Sequence, residues 1–235
     1  MAAHGRSALR DLFDESPTPH IAHPPRTHHR DFYVATDGSF RESGGGLGAV
    51  IETRDGTRVA RIATADTPPD NNVAEYRALH LGLDVLAARA PRDARVGVLV
   101  DHDALASNVN TAILATNHPD GKPPQPLSVP AATRYHWRGI EARLSGFDEV
   151  RAARIDSDQN PAHPLANTPD RYRHVNQEPD RCVLPEPLES RTASGAGTGP
   201  GANPNEDAEF PPPSRADRHS TSTSAGAGGS GRASD

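Results

Sequence analysis

The stretch Arg95–Asp101, RVGVLVD, restricts this chain more than any other. From Val96 to Val100 there is no polar residue and no alternation, so the strand it forms must be covered on both faces. Such a strand belongs at the centre of an α/β sheet that carries helices on its faces.

Three candidate strands precede it. DFYVAT (31–36) ends on Asp37, GGGLGAVIET has a glycine-rich entry, and TRVARIATA alternates after Asp55-Gly56, a two-residue hairpin signal. Pro68-Pro69-Asp70-Asn71-Asn72 then stops the sheet and opens a helix, with Asn71 or Asn72 as the expected cap. Leu79, Leu83 and Leu86 fall on one face of that helix. After RVGVLVD come a short helix, DALASNVNTAIL, and a proline-rich loop over 117–130. A second helical pattern places Trp137, Ile140 and Leu144 on one side, Trp137 as a core residue, and DEVRAARI reads as a fifth strand. DSDQNPAHPLANT follows as a loop with a brief helical segment. The order βββαβαβα predicts a mixed five-stranded sheet with helices packed on its faces, its parallel strand reached by a right-handed crossover.

Composition sets the limits of this domain. Of the 235 residues, roughly 31–175 carry nearly all the periodic apolar content. Residues 1–30, rich in Pro and His, read as a flexible leader. Residues 176–235 read as a disordered Pro/Gly/Ser-rich tail, with too few apolar groups to offset the entropy of ordering. The lone Cys182 excludes a disulfide framework within the chain and fits a reducing compartment. No run resembles a signal peptide or a membrane span, so a cytoplasmic protein is expected. A net charge of −6, with Lys122 the only lysine, is not that of a simple phosphate-binding module.

The acids are placed with more purpose than this composition requires. If the first and fourth strands are parallel neighbours, Asp37 and Asp101 leave the sheet at the same end, the usual place for a site in such sheets. Glu75 lies within a turn of the first long helix's start. A single strand-end Asp is ordinarily a turn residue, and Glu75 alone would suit the positive end of its helix. Three converging carboxylates, however, repel one another unless a cation lies between them, and hard oxygen ligands select Mg²⁺ or Mn²⁺. Two such ions roughly 3.5–4 Å apart clamp both the attacking and the leaving oxygen of a phosphodiester. Asn71 and Asn72 would offer neutral amide contacts to a sugar–phosphate backbone.

The joint order of ATDGS (35–39), NNVAEYRAL (71–79), LVDHDAL (99–105) and NPAHPLAN (160–167) resembles the type 1 ribonuclease H family over residues 31 to about 170. The resemblance implies a ribonuclease H-like α/β fold and endonucleolytic cleavage of the RNA strand of RNA–DNA hybrids, leaving a 3′-hydroxyl and a 5′-phosphate. It implies metal ligation by Asp37, Glu75 and Asp101, hybrid contacts from Asn71 and Asn72, and a catalytic site that includes His163. No organic cofactor and no membrane partner are expected, and the protein is expected to act as a monomer.

Two motifs depart from the family's pattern. His163 stands where a fourth acid is usual, and imidazole suits Mn²⁺ better than Mg²⁺. Three readings stay open: His163 ligates metal or holds a water on it, Asp156 or Asp158 supplies the carboxylate, or the domain binds hybrid more than it cuts. His102 and Asp103 stand where a small hydroxyl and an amide are usual. Arg138, Arg143, Arg151, Arg154, Arg171 and Arg173 are the candidates for substrate grip, none of them assigned.

Overall fold

The computed structural model describes residues 7–21, 29–117 and 125–177. The elements run α1 (Leu9–Glu15), β1 (Phe32–Ser39), β2 (Gly45–Thr53), β3 (Arg58–Asp66), α2 (Asn71–Ala87), β4 (Arg95–Val100), α3 (Asp103–Asn117), α4 (Arg134–Leu144), β5 (Glu149–Arg154) and α5 (His163–Asn167). A 3-10 segment, Pro169–Gln177, follows α5. The strands form one sheet in the order β3-β2-β1-β4-β5, antiparallel over the meander and parallel from β1 through β4 to β5. This is the α/β arrangement of a ribonuclease H-like fold, with the RVGVLV run as its fourth strand, paired on both sides.

Alternation along the strands divides two apolar layers. Val34, Val96, Val98 and Val100 face α2, α3 and α4, packing with Tyr76, Leu79, Leu83, Leu86, Leu105, Val109, Trp137 and Ile140. Tyr33, Ala35, Leu99 and Ala153 face the other way and pack with Leu9, Phe13, Ile155 and Leu165. Both faces are therefore covered, as the continuous apolar run of β4 requires.

The second layer differs from the sequence expectation. Residues 9–15, read as part of a flexible leader, form α1, and Leu9 and Phe13 at i, i+4 are buried. The Phe13 ring meets Tyr33 edge-on at 5.5 Å, and the Leu9 N–H donates to Glu52 Oε2 at 2.9 Å. Arg30, with its side chain paired to Glu149 at 3.2 Å, is buried as well. The reason is local: without α1, the outward sides of Tyr33 and Leu99 would face water. Six residues, ALRDLF, are too few to announce a core helix among prolines and histidines. Residues 178–235, most of the expected tail, lie outside the described residues, as does Cys182.

Two boundaries also shift. Strand β1 does not stop at 36 but carries Asp37, Gly38 and Ser39 along β2, pairing Asp37 with Gly48. The cap of α2 is Asp70 rather than Asn71 or Asn72: its Oδ1 accepts from the Val73 N–H at 2.8 Å. A carboxylate is as good a cap as an amide, and this one leaves both asparagines inside the first turn with their side chains free for other partners.

Candidate active site

The parallel pairing of β1 with β4 ends at Ala35 opposite Leu99. Asp37 and Asp101 each lie two residues further on, so both emerge at one sheet end and at one level. Glu75 reaches the same place from α2 because Gly38 lets the helix start close upon the strand. A Cβ at Gly38 would lie 2.2 Å from the Ala74 carbonyl carbon and 2.5 Å from the Glu75 nitrogen. The Gly38 N–H then donates to Glu75 Oε2 at 3.2 Å, tying the acid to the strand that carries Asp37.

His163 arrives by a similar close approach. A Cβ at Gly48 on β2 would lie 2.4 Å from the Ala162 carbonyl oxygen, so α5 can rest directly on the strand beside Asp37. Asn160 holds the incoming loop: its Nδ2 donates to Thr36 O at 2.9 Å, and its Oδ1 accepts from Ala162 N at 3.0 Å. Ser39 Oγ donates to Ala166 O at 2.7 Å on the far side of the same short helix. Pro164 begins that helix without loss, since an amide N–H in the first turn has no helical partner.

Asp37, Asp101 and His163 each offer a ligand atom, and the three atoms lie within 4.8 Å of one another. His163 Nδ1 is 3.5 Å from the Asp37 carboxylate, and the imidazole also contacts the Asn167 amide nitrogen at 3.1–3.2 Å. Glu75 stands outside this trio yet feels its charge. Burial pushes the Asp37 carboxyl up to about 8, and the nearby Asp101 adds to the shift. Burial likewise lifts Glu75 to about 9, with Asp101 and Asp37 adding and the Gly38 N–H opposing. Asp101, half-buried, accepts from Ser157 Oγ at 2.7 Å.

These observations fit a divalent cation. Asp37 Oδ2 is buried, makes no hydrogen bond and has only the long 3.5 Å approach of His163 Nδ1 against it, an expensive arrangement for an ionised carboxylate unless a cation joins it. Two hard oxygens with one borderline nitrogen suit Mn²⁺ and admit Mg²⁺. Of the other carboxylates considered for the fourth position, Asp156 is paired with Arg154, and neither it nor Asp158 belongs to the trio.

Asn71 and Asn72 are both exposed on the first turn of α2. Asn72 Oδ1 lies 2.8 Å from His102 Nε2. Sequence reasoning gave no role to Asn160, Ser157, Asn167 or His102, which hold the acids, His163 or Asn72 in place. Of these, His102 stood out in the sequence as a departure from the family's motif and Asn160 and Asn167 as the ends of NPAHPLAN, whereas nothing marked Ser157.

No family model matches this chain, and no curated protein does. Solved structures with a similar arrangement include the N-terminal RNase H domain of a Mycobacterium tuberculosis protein fused to maltose-binding protein. It shares 24% identity over 57% of this chain and 95% of that one, with a TM-score of 0.46. The RNase H1 of the halophilic archaeon Halobacterium salinarum NRC-1 shares 21% identity over 60% of this chain and 98% of that one, with a TM-score of 0.47. LC11-RNase H1 in complex with an RNA/DNA hybrid shares 21% identity over 57% of this chain and 93% of that one, with a TM-score of 0.42. The strand order and the two covered faces define the fold class independently of these likenesses.

Proposed function

We propose that this protein is a divalent-metal-dependent endoribonuclease that hydrolyses the RNA strand of RNA–DNA hybrids. One observation carries the reading: Asp37, Asp101 and His163 converge to within 4.8 Å at the sheet end, beside a buried Glu75. Asp37, Glu75 and Asp101 would hold Mg²⁺ or Mn²⁺, with His163 at the fourth position. Metal bound by these residues would supply an activated water and charge neutralisation at the scissile phosphate. The chain's own groups place the ligands: Gly38 N–H orients Glu75, Ser157 Oγ orients Asp101, and Asn167 steadies the His163 ring. Asn71 and Asn72 contact the hybrid one turn from the acids.

A second reading has an observation of its own. The fourth position is an imidazole with nearly half its side-chain surface exposed (46%), an arrangement compatible with a domain that binds hybrid and cuts it poorly. End-labelled hybrid, Mg²⁺ and Mn²⁺ titrated separately, and the variants Asp37→Asn and His163→Asp discriminate the two. The nuclease reading expects Mn²⁺-favoured cutting, a shift toward Mg²⁺ in His163→Asp, and a loss of more than about a hundred-fold in Asp37→Asn. That loss exceeds the roughly 10–100-fold typical of removing an outer partner of a ligand. Hybrid that is bound but left whole in both metals establishes the binding module instead.

A further inference from the structure

The residue after Asp101 is a histidine where the family resemblance leads one to expect a small hydroxyl, and the imidazole reaches a partner that a hydroxyl would not. His102 Nδ1 accepts from the Leu105 N–H at 3.1 Å, closing the first turn of α3. An acceptor nitrogen carries no proton, so in the neutral ring the N–H is on Nε2. Nε2 lies 2.8 Å from Asn72 Oδ1 and donates to it. The direction of that bond fixes the amide: Asn72 keeps its carbonyl on His102 and turns both its N–H bonds away.

The ring doing this is itself held. Tyr76, fully buried, meets His102 edge-on with centroids 6.3 Å apart and planes at 79°. The Tyr76 hydroxyl accepts from Asn108 Nδ2 at 2.8 Å, and Asn108 Oδ1 in turn accepts from the Ser128 N–H at 2.9 Å. A rigid wall therefore backs His102, His102 backs Asn72, and Asn72 sits exposed three residues before Glu75 on the same helix.

We propose that His102 is a positioning residue that locks the Asn72 amide with its donors outward, making Asn72 a sequence-neutral reader of hydrogen-bond acceptors in the minor groove of the hybrid. The proposal rests on the nuclease reading above and names how that site grips its substrate. A hybrid presents a wide minor groove in which base edges are reachable. Acceptors recur there at adenine N3 and thymine O2, while guanine alone adds an amino donor. A fixed donor meets the recurring acceptors. An amide free to flip would also accept from the guanine amino group and so acquire a preference for G·C pairs. A nuclease that must cut hybrid of any sequence gains from the lock.

The test is a double-substitution cycle on hybrid binding, with every protein carrying Asp37→Asn so that no strand is cut. The forms compared are the parent, His102→Ala, Asn72→Ala, the pair together, and His102→Gln, which retains an acceptor and a donor at that position. The loss of one hydrogen bond predicts roughly 2- to 12-fold weaker binding for His102→Ala. The pair is expected to bind no more weakly than Asn72→Ala alone, and His102→Gln to recover most of the parent's affinity. His102→Ala is also expected to favour a G·C-rich hybrid over an A·T-rich one, where the parent treats them alike. Fully additive losses, or parental binding by His102→Ala, overturn the lock while leaving the nuclease reading standing. A parent that does not prefer hybrid to duplex DNA overturns both.

Discussion

Asp37 and Glu75 are the residues whose chemistry is most displaced from the ordinary. Their carboxyls are raised from 3.8 to about 8 and from 4.5 to about 9, chiefly by burial and then by neighbouring charge. In the unfolded chain both ionise near their ordinary values, so between roughly pH 4 and 9 the folded, metal-free protein binds more protons than the unfolded one. Stability must then fall as pH rises through that window. Thermal unfolding in chelator should show Tm declining from pH 5 to pH 8, and Asp37→Asn, which removes the titrating acid, should flatten the decline. A gain of even 1 kcal/mol at pH 8 corresponds to about 2–4 °C in a chain of this size. Added Mn²⁺ should reverse the trend, since metal competes with protons for the same oxygens. A Tm that is independent of pH in chelator would mean these acids are solvated and ionised.

At the scale of elements, the site is made by close approaches of backbone. Gly38 admits α2 and Gly48 admits α5, so the first strand carries Asp37 into contact with groups from two helices. Helix α1 acts from beneath, covering the face of the sheet that bears Tyr33 and Leu99. Phe13 is almost fully buried there, and truncating a buried Phe to Ala ordinarily costs about 3–5 kcal/mol. Phe13→Ala should therefore lower the urea midpoint substantially, and a midpoint unchanged from the parent would restore the leader interpretation of these residues. The sequence concealed α1 because its apolar pattern spans barely one turn and a half, whereas α2 declared itself over four turns.

For the molecule as a whole, charge is the governing quantity. The chain carries −6, and the arginines that were candidates for substrate grip are largely engaged with carboxylates. Arg143 pairs with Asp84, Arg151 with Glu149, Arg154 with Asp103 and Asp156, and Arg173 with Asp170. A cation shared with a carboxylate displaces few counterions from a phosphate backbone. The slope of log affinity against log salt scales with phosphates neutralised, at about 0.9 per contact on duplex DNA. Hybrid binding should accordingly show a shallow slope, of magnitude about 2–4, measured by anisotropy between 50 and 200 mM salt. A slope near 8 would mean that these exposed pairs open when hybrid binds.

Sequence by itself determined the sheet and its central strand. The run Val96–Val100 demands cover on both faces, and the meander, the helix of Leu79, Leu83 and Leu86, and the strand-end acids are local patterns with short periods that survive without any knowledge of contacts. It also marked Asp37, Glu75 and Asp101 by their joint order at element ends, while His163 was marked only by the resemblance of NPAHPLAN to a family motif. Only tertiary structure decided what those residues do to one another. Glu75's raised carboxyl, the cap at Asp70, the hold of Asn160 on Thr36 and the bond from His102 to Asn72 all join groups that are close in space through packing. The Asn160–Thr36 bond spans 124 positions of chain and the His102–Asn72 bond 30. Periodicity reports which side of an element is apolar; it contains no term for the distance between two elements. That distance was set here by two glycines and the depth at which the helices settle on the sheet.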